Sequence, residues 1–269
     1  MTVTTSDPDI LQITNPEFDE RFYQRSYPDG TVAYAPSITH ILESTWPGGD
    51  RKGLELWRGQ VGNEEADRIM HQAGDEGSYV HEAIEVLLKG NWIKRETVRD
   101  QFGKRARRVL EHLSGFMEFA ALHHPRPTHL EAVTWCTDPL FAGTVDFEGE
   151  LTTVSKIGRG KAAIEVPTVG PWVLDWKTAA SIRLTHRAQI CAYRYSLTRT
   201  APDYTPRVGI LHLGNSTKAG WSLLEISGPD LARYTELALH TIHTYHLHHP
   251  DARPSAKVYP EVFVLPIEE

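Results

Sequence analysis

Apolar positions recur along this chain with two different periods, and the change falls near residue 129. Between residues 51 and 122 the spacing is helical, with Gly74, Gly77 and Gly90-Asn91 as predicted breaks. Val109, Leu113, Phe116 and Ala120 share one face of the last of these helices. No proline lies between Pro47 and Pro125, as a largely helical lobe requires. After 129 the pattern turns to alternation and β-branched runs. Leu130 to Cys136 and Leu140 to Leu151 read as strands joined by a turn at Asp138-Pro139, and Trp172 to Trp176 as a short apolar strand. Residues 152–170 read as a glycine-containing excursion.

A helix follows at about 183–198, with Leu184, Ala188, Cys191 and Tyr195 predicted inward. Arg207 to Leu213 and Trp221 to Ile226 read as strands. Ser227-Gly228-Pro229-Asp230 opens a long last helix with Pro229 in its first turn. Its apolar face is Leu231, Tyr234, Ala238, Ile242 and Tyr245. Ahead of all this, residues 1–35 read as an irregular or weakly stranded lead-in. Phe22 to Tyr27 and Thr31 to Ala35 pair as a hairpin around Pro28-Asp29-Gly30. Ser37 is the expected N-cap of a short helix that buries Ile38, Ile41 and Leu42 and ends at Trp46-Pro47-Gly48-Gly49. The expectation is an α/β fold: a central mixed sheet flanked by helices, with an N-terminal helical lobe beside the site. Its parts are a lead-in (1–35), a helical lobe (36–128) and a core of sheet and flanking helices (129–269), packed as a single unit.

Composition narrows this little. The 269 residues are 40% hydrophobic and 23% charged, which excludes a disordered chain. No apolar run approaches the ~18 residues needed to span a bilayer. The first twenty residues hold Asp7, Asp9, Glu17, Asp19 and Glu20 and no base, the opposite of a targeting peptide. Cys136 and Cys191 are too few for a disulfide framework or a four-thiolate cluster. A cytoplasmic protein is expected.

The residues that carry chemistry come in fragments. In Asp175-Trp176-Lys177, on the apolar strand, the acid and the base two apart project to one face. A carboxylate can hold a hard cation, and an ammonium beside it can orient water or steady developing charge. A strand-end salt bridge explains the same pair. Gly143-Thr144-Val145-Asp146 puts a second carboxylate at the end of an apolar run, where a turn aspartate would also stand. His81 and Glu85 lie four apart on one helix face after Gly77, an arrangement a solvated surface also produces. Gln189 and Tyr193 are four apart and off the predicted apolar stripe of their helix. A zinc-protease motif fails because Glu85 stands where its second histidine belongs.

Taken in order, Gly-x-x-x-His, Glu131, Gly-x-x-Asp, Asp-x-Lys and Gln-x-x-x-Tyr resemble the PD-(D/E)XK nuclease superfamily, in its RecB-like exonuclease branch. Pro36-Ser37-Ile38-Thr39-His40-Ile41-Leu42, with Leu56-Trp57 and Gly62, is similar to phage and mitochondrial genome maintenance exonucleases of that branch. The resemblance runs from Pro36 to Tyr193. It implies a restriction-endonuclease-like core and a metal-dependent DNA exonuclease preferring single strands or ends. His81, Asp146, Asp175 and the Trp176 carbonyl would ligate Mg²⁺ or Mn²⁺, and Lys177 would position the attacking water. Gln189 and Tyr193 would steady the active-site strand or touch the DNA backbone. Glu131 would act behind the metal through water, with Glu85 a further candidate. Implied partners are DNA and a recombination or replication protein, with no membrane. The four-cysteine iron–sulfur cluster of some relatives has no ligands here. The stretch between Asp146 and Asp175 is longer than is usual in the family, and Lys156, Arg159 and Lys161 fit either a DNA-guiding hairpin or a solvated insertion.

Charge adds one candidate surface. Lys94, Arg95, Arg99, Lys104, Arg105, Arg107 and Arg108 face only Glu96 and Asp100, a local excess of five positive charges in a chain of net −7. Phosphates would take such a stretch, and so would water. Trp92, Phe102 and Trp46 are candidates to stack on unpaired bases. The histidines at 240, 243, 246, 248 and 249 lack the acidic or cysteine partners of a metal site. An endonuclease on the same core and a catalytically silent DNA-binding subunit remain alternatives.

Overall fold

A computed structural model describes residues 2–7, 9–15, 20–46, 51–157, 164–214 and 219–255, with backbone alone at 2–7, 51–52, 154–157 and 164–167. Pro47, Gly48, Gly49, Arg159, Lys161 and residues 256–269 lie outside it, and of Lys156 only the backbone is described.

The lead-in is a sheet. β1 (Thr2–Asp7), β2 (Ile10–Asn15), β3 (Glu20–Ser26) and β4 (Val32–Pro36) form an antiparallel meander in chain order. β3 and β4 make the expected hairpin, pairing Ser26 with Val32 and Phe22 with Pro36. Of the two readings, irregular or weakly stranded, β1 and β2 take the stranded one. Each is only six residues and carries polar positions throughout, so alternation gave little contrast. Ile10, Tyr23 and Ala35 pack on Ala142, with Val133, Trp135 and Leu140 around them.

Four helices follow: α1 (Ile38–Thr45), α2 (Arg51–Val61), α3 (Asn63–Leu88) and α4 (Arg95–Phe102). A short 3₁₀ turn leads to α5 (Ala106–His123). Ser37 is the N-cap of α1 by position, but its hydroxyl makes no capping bond; its backbone instead bridges Ala142. Gly74 and Gly77 do not break α3, which runs through both. A helical glycine costs about 1 kcal/mol, which 26 residues of helix absorb. Gly90, at φ +80°, does end it.

The second sheet is mixed, in the order β5 (Arg126–Thr137), β6 (Leu140–Ile157), β7 (Ile164–Lys177), β8 (Arg207–Leu213) and β9 (Trp221–Ile226). Only β7 and β8 are parallel, joined across α6 (Leu184–Thr200). The chain is an α/β protein with a central mixed sheet flanked by helices. One face packs α1, α6 and α7 (Gly228–His248) over Val173, Val208 and Ile210. The other packs α3, α4 and α5 over Phe147, Leu151, Trp172, Leu174 and Trp176. Within the excursion, residues 152–157 and 164–170 continue β6 and β7, paired from Thr152↔Val169 to Ile157↔Ile164.

Two helix faces differ in part from expectation. On α7, Tyr234, Ala238, Ile242 and Tyr245 are buried as predicted, with Thr241 among them and Leu231 at the margin. On α6, Leu184 is exposed, while His186, Gln189, Cys191, Tyr193 and Ser196 are buried on several sides. A helix between a sheet and another helix has no solvent face wide enough to set a stripe.

Candidate active site

The site begins where the central sheet forks. β6 pairs with β7 only as far as Phe147↔Leu174. Beyond it β6 stays with β5, while β7 continues beside β8 through Asp175↔Ile210 and Lys177↔His212. Asp146 and Asp175 are the first residues past the split. The Trp176 N–H, with no β6 carbonyl to meet, donates to Asp146 Oδ2 at 2.6 Å.

The strands also turn over at this point. Val145 packs in one core and Phe147, two residues on, in the other, though a regular strand keeps such residues on one face. Across from Asp146, between the pairs Leu130↔Phe147 and Ala132↔Val145, stands Glu131. Its backbone is left-handed, φ +49°, which a non-glycine residue adopts only under constraint. Like charges directly opposed across strands also oppose folding. Two unfavourable features thus coincide at one place.

The motif glycines give close approach. A Cβ on Gly77 would lie 3.1 Å from Thr178 Oγ1, so α3 can run against the end of β7 and bring His81 in. His81 Nδ1 lies 3.5 Å from Asp146 Oδ2. A Cβ on Gly143 would lie 2.5 Å from Tyr193 Cε1 and 2.9 Å from Ile38 Cγ2. The space it leaves admits Tyr193, whose hydroxyl accepts from Gln189 Nε2 at 2.9 Å; the same amide donates to Thr39 Oγ1 at 3.1 Å.

All eight residues expected at the centre line one open cleft of about 650 Å³: His81, Glu131, Asp146, Asp175, Trp176, Lys177, Gln189 and Tyr193. One ligand atom from each of His81, Glu131 and Asp146 lies within 4.8 Å of the others. Glu131 thus stands among the groups that could hold a metal ion; the resemblance implies a place behind the metal, through water. Asp175 takes the Lys177 ammonium at Oδ1, 2.9 Å, and meets it at Oδ2, 2.7 Å. Oδ2 is buried and receives no directed hydrogen bond. Glu85 does not line the cleft and pairs with Lys89 at 2.5 Å.

Charge follows from this packing. Burial pushes Glu131 up to about 8, with Asp146 adding repulsion, and Asp175 up to about 6. Burial also raises Asp146, but His81, Lys177 and the Trp176 N–H outweigh it and hold that carboxyl below its ordinary value. Burial works against the Lys177 ammonium, yet Asp175 and Asp146 hold its pKa above the usual one. His81 is likewise raised, burial being overcome by Asp146. The pocket thus holds a proton at Glu131 that a divalent cation would displace. Oxygen-rich donors with one imidazole suit Mg²⁺ or Mn²⁺, whereas Asp175 is met at both oxygens by the Lys177 ammonium.

None of Lys94, Arg95, Arg99, Lys104, Arg105 and Arg108 lines this cleft. Arg105 and Arg108 each reach the buried Glu76 at 3.2 Å, and Arg95 lies 3.6 Å from Glu96. Lys94 covers the exposed Trp92 ring at 5.3 Å. Phe102 is a core residue and Trp46 packs on the core, which takes Phe102 out of the stacking candidates. His246 Nε2 meets the Leu140 carbonyl at 2.6 Å.

Sequence reasoning missed the walls. Gln12, Arg21 and Tyr23 come from the N-terminal sheet, and Arg183 and His186 from the start of α6. No motif marks them; the N-terminal sheet itself was the missing signal. Among the described residues no helix is long and apolar enough to cross a membrane.

No family model matches the chain, and no curated protein matches it. Among solved structures, SSO0001 aligns at 15% identity over 56% of this chain and 70% of that one. Its TM-score of 0.21 carries no argument about fold or activity.

Proposed function

We propose that the protein is a Mg²⁺- or Mn²⁺-dependent deoxyribonuclease of PD-(D/E)XK type, an exonuclease acting on single strands or ends in the cytoplasm. One observation carries the reading: five separated motifs converge on one cleft at the fork of a mixed sheet. The order α5, β5, β6, β7, α6, β8, with β7 and β8 parallel, accords with the core that the resemblance implies. The two buried free cysteines accord with a reducing compartment.

His81, Glu131, Asp146 and Asp175 would hold the cation, which when bound supplies positive charge to a phosphoryl oxygen and a more acidic water. Lys177 keeps its proton, so it acts as a hydrogen-bond donor and local positive charge that orients water and steadies charge building on the phosphate. Gln189, fixed between Thr39 and Tyr193, braces the wall beside Asp175.

The test is digestion of end-labelled linear and closed-circular single-stranded DNA with Mg²⁺, Mn²⁺ or EDTA. Metal-dependent loss of linear DNA alone is expected. Lys177→Ala should lower the rate by about 10²-fold or more, as loss of a transition-state donor does. Near-normal turnover by that variant sinks the role of Lys177. Cutting of circles moves the assignment to an endonuclease, and binding without cutting to a silent DNA-binding subunit.

A further inference from the structure

We infer that Arg21 and Arg183 grip the substrate phosphates next to the reacting one, in place of the basic stretch at 94–108. The inference rests on the nuclease reading and says where the polyanion is held. It starts from the charges of the cleft. Glu43, Glu131, Asp146 and Asp175 line it, and a cation with Lys177 accounts for the acids at its centre. Lys177 is engaged by Asp175, and its remaining donor capacity serves the reacting phosphate and its water.

Arg21 and Arg183 are the cleft's exposed cations. Among the described residues neither lies within ion-pair distance of a carboxylate. Arg183 is held in another way, against the His186 ring: its Nε lies 3.0 Å from Nε2 and its backbone N–H 3.3 Å from Nδ1, and since a neutral ring accepts at one nitrogen only, the shorter contact is the one that holds the guanidinium. Burial, with Lys177 and Arg183 nearby, pushes His186 down to about 3, so the ring is neutral. A neutral acceptor fixes the guanidinium without cancelling its charge, and among the described residues its two terminal NH₂ groups donate to no acceptor. That is the donor fork that matches phosphate oxygens. Arg21 sits on β3 two residues before Tyr23, so both point to one face, and Tyr23 pairs in register with Gln12. The N-terminal sheet thus brings a cation and two neutral polar groups to the wall.

The competing surface lies away from the cleft, and three of its arginines already hold acids. Arg105 and Arg108 hold Glu76, Arg107 holds Glu111 at 2.8 Å, and Arg99 and Lys104 line a separate groove along α5.

The experiment is fluorescence anisotropy of a dye-labelled single-stranded oligonucleotide on the full chain, in EDTA and in Ca²⁺, across a salt series. Arg21→Gln and Arg183→Gln should each weaken binding about tenfold, the worth of one charge-assisted contact. Each should also flatten the slope of log affinity against log salt by about 0.7. Arg21→Lys should keep the slope. Arg99→Gln and Lys104→Gln should leave affinity and slope as in the wild type. All variants are at exposed positions, and thermal melts check that they fold. Unchanged binding by Arg21→Gln and Arg183→Gln overturns the inference and leaves the nuclease reading standing. So does loss of binding in Arg99→Gln and Lys104→Gln alone. A folded wild type that binds no oligonucleotide in either condition overturns the nuclease reading and this inference together.

Discussion

Gly143 ties the smallest feature of the sequence to the geometry of the cleft. A methyl group there would meet the Tyr193 ring and Ile38 together, and neither is free to retreat. Tyr193 is fixed by Gln189, and Ile38 is wholly buried at the start of α1. Gly143→Ala should therefore destabilise the fold by about 1–3 kcal/mol, the range for overpacking. It should also turn Tyr193 away from Gln189. Urea denaturation checks the first effect and Tyr193 ring signals in NMR the second; an unperturbed ring would show that Gly143 serves another purpose. At this scale the sequence was most informative, because the motif residues are fixed by chemistry and by close contact. Glu131 is the exception. Nothing in its local sequence announces a left-handed backbone or an acid opposite Asp146, since both follow from pairing between β5 and β6.

At the scale of elements, legibility depended on contrast between faces. α5 and α7 each show one wet face and one dry one, and their buried positions follow the helical period. α6 lies buried on several sides, so Gln189 and Tyr193, though off the predicted apolar stripe, are buried in the cleft wall. The basic run at 94–108 shows a different failure: charge was legible, but not what it faces. Glu76 is 3% exposed and meets Arg105 and Arg108, which pins α3 to the start of α5. Breaking a buried pair leaves an uncompensated charge and typically costs 3–5 kcal/mol. The two guanidinium groups here are 35% and 64% exposed, so water replaces part of their effect. The double change Arg105→Ala with Arg108→Ala should lower stability by about 2 kcal/mol, read from urea denaturation. A loss near zero would mean that these arginines are free for a ligand after all.

For the whole molecule, the cleft sets the sign of the pH dependence. A carboxyl with a higher pKa folded than unfolded binds its proton more tightly in the folded state. Its contribution to stability is then lost as pH climbs from the unfolded value to the folded one. For Glu131 that window runs from 4.5 to about 8, and for Asp175 from 3.8 to about 6. His81, also raised, contributes stability below its ordinary 6.5 that is lost as pH rises through its folded value. Asp146, depressed, acts in the opposite sense, but only below 3.8. His186 and His112, both depressed, act the other way below 6.5; between about pH 6.5 and pH 8 Glu131 and His81 alone tilt the balance, so the metal-free protein should melt lower as pH rises through that window. Glu131→Gln removes the largest of these contributions and should melt about 3–6 °C above the wild type at pH 8 in EDTA. Mn²⁺ should reverse the order: it takes the place of the Glu131 proton, raising the wild-type Tm most at high pH and the variant's little. Differential scanning calorimetry of both proteins at matched pH, with EDTA or Mn²⁺, reads all four conditions. A wild type that gains nothing from Mn²⁺ at pH 8 would mean that the constraint at Glu131 serves the backbone and not a cation.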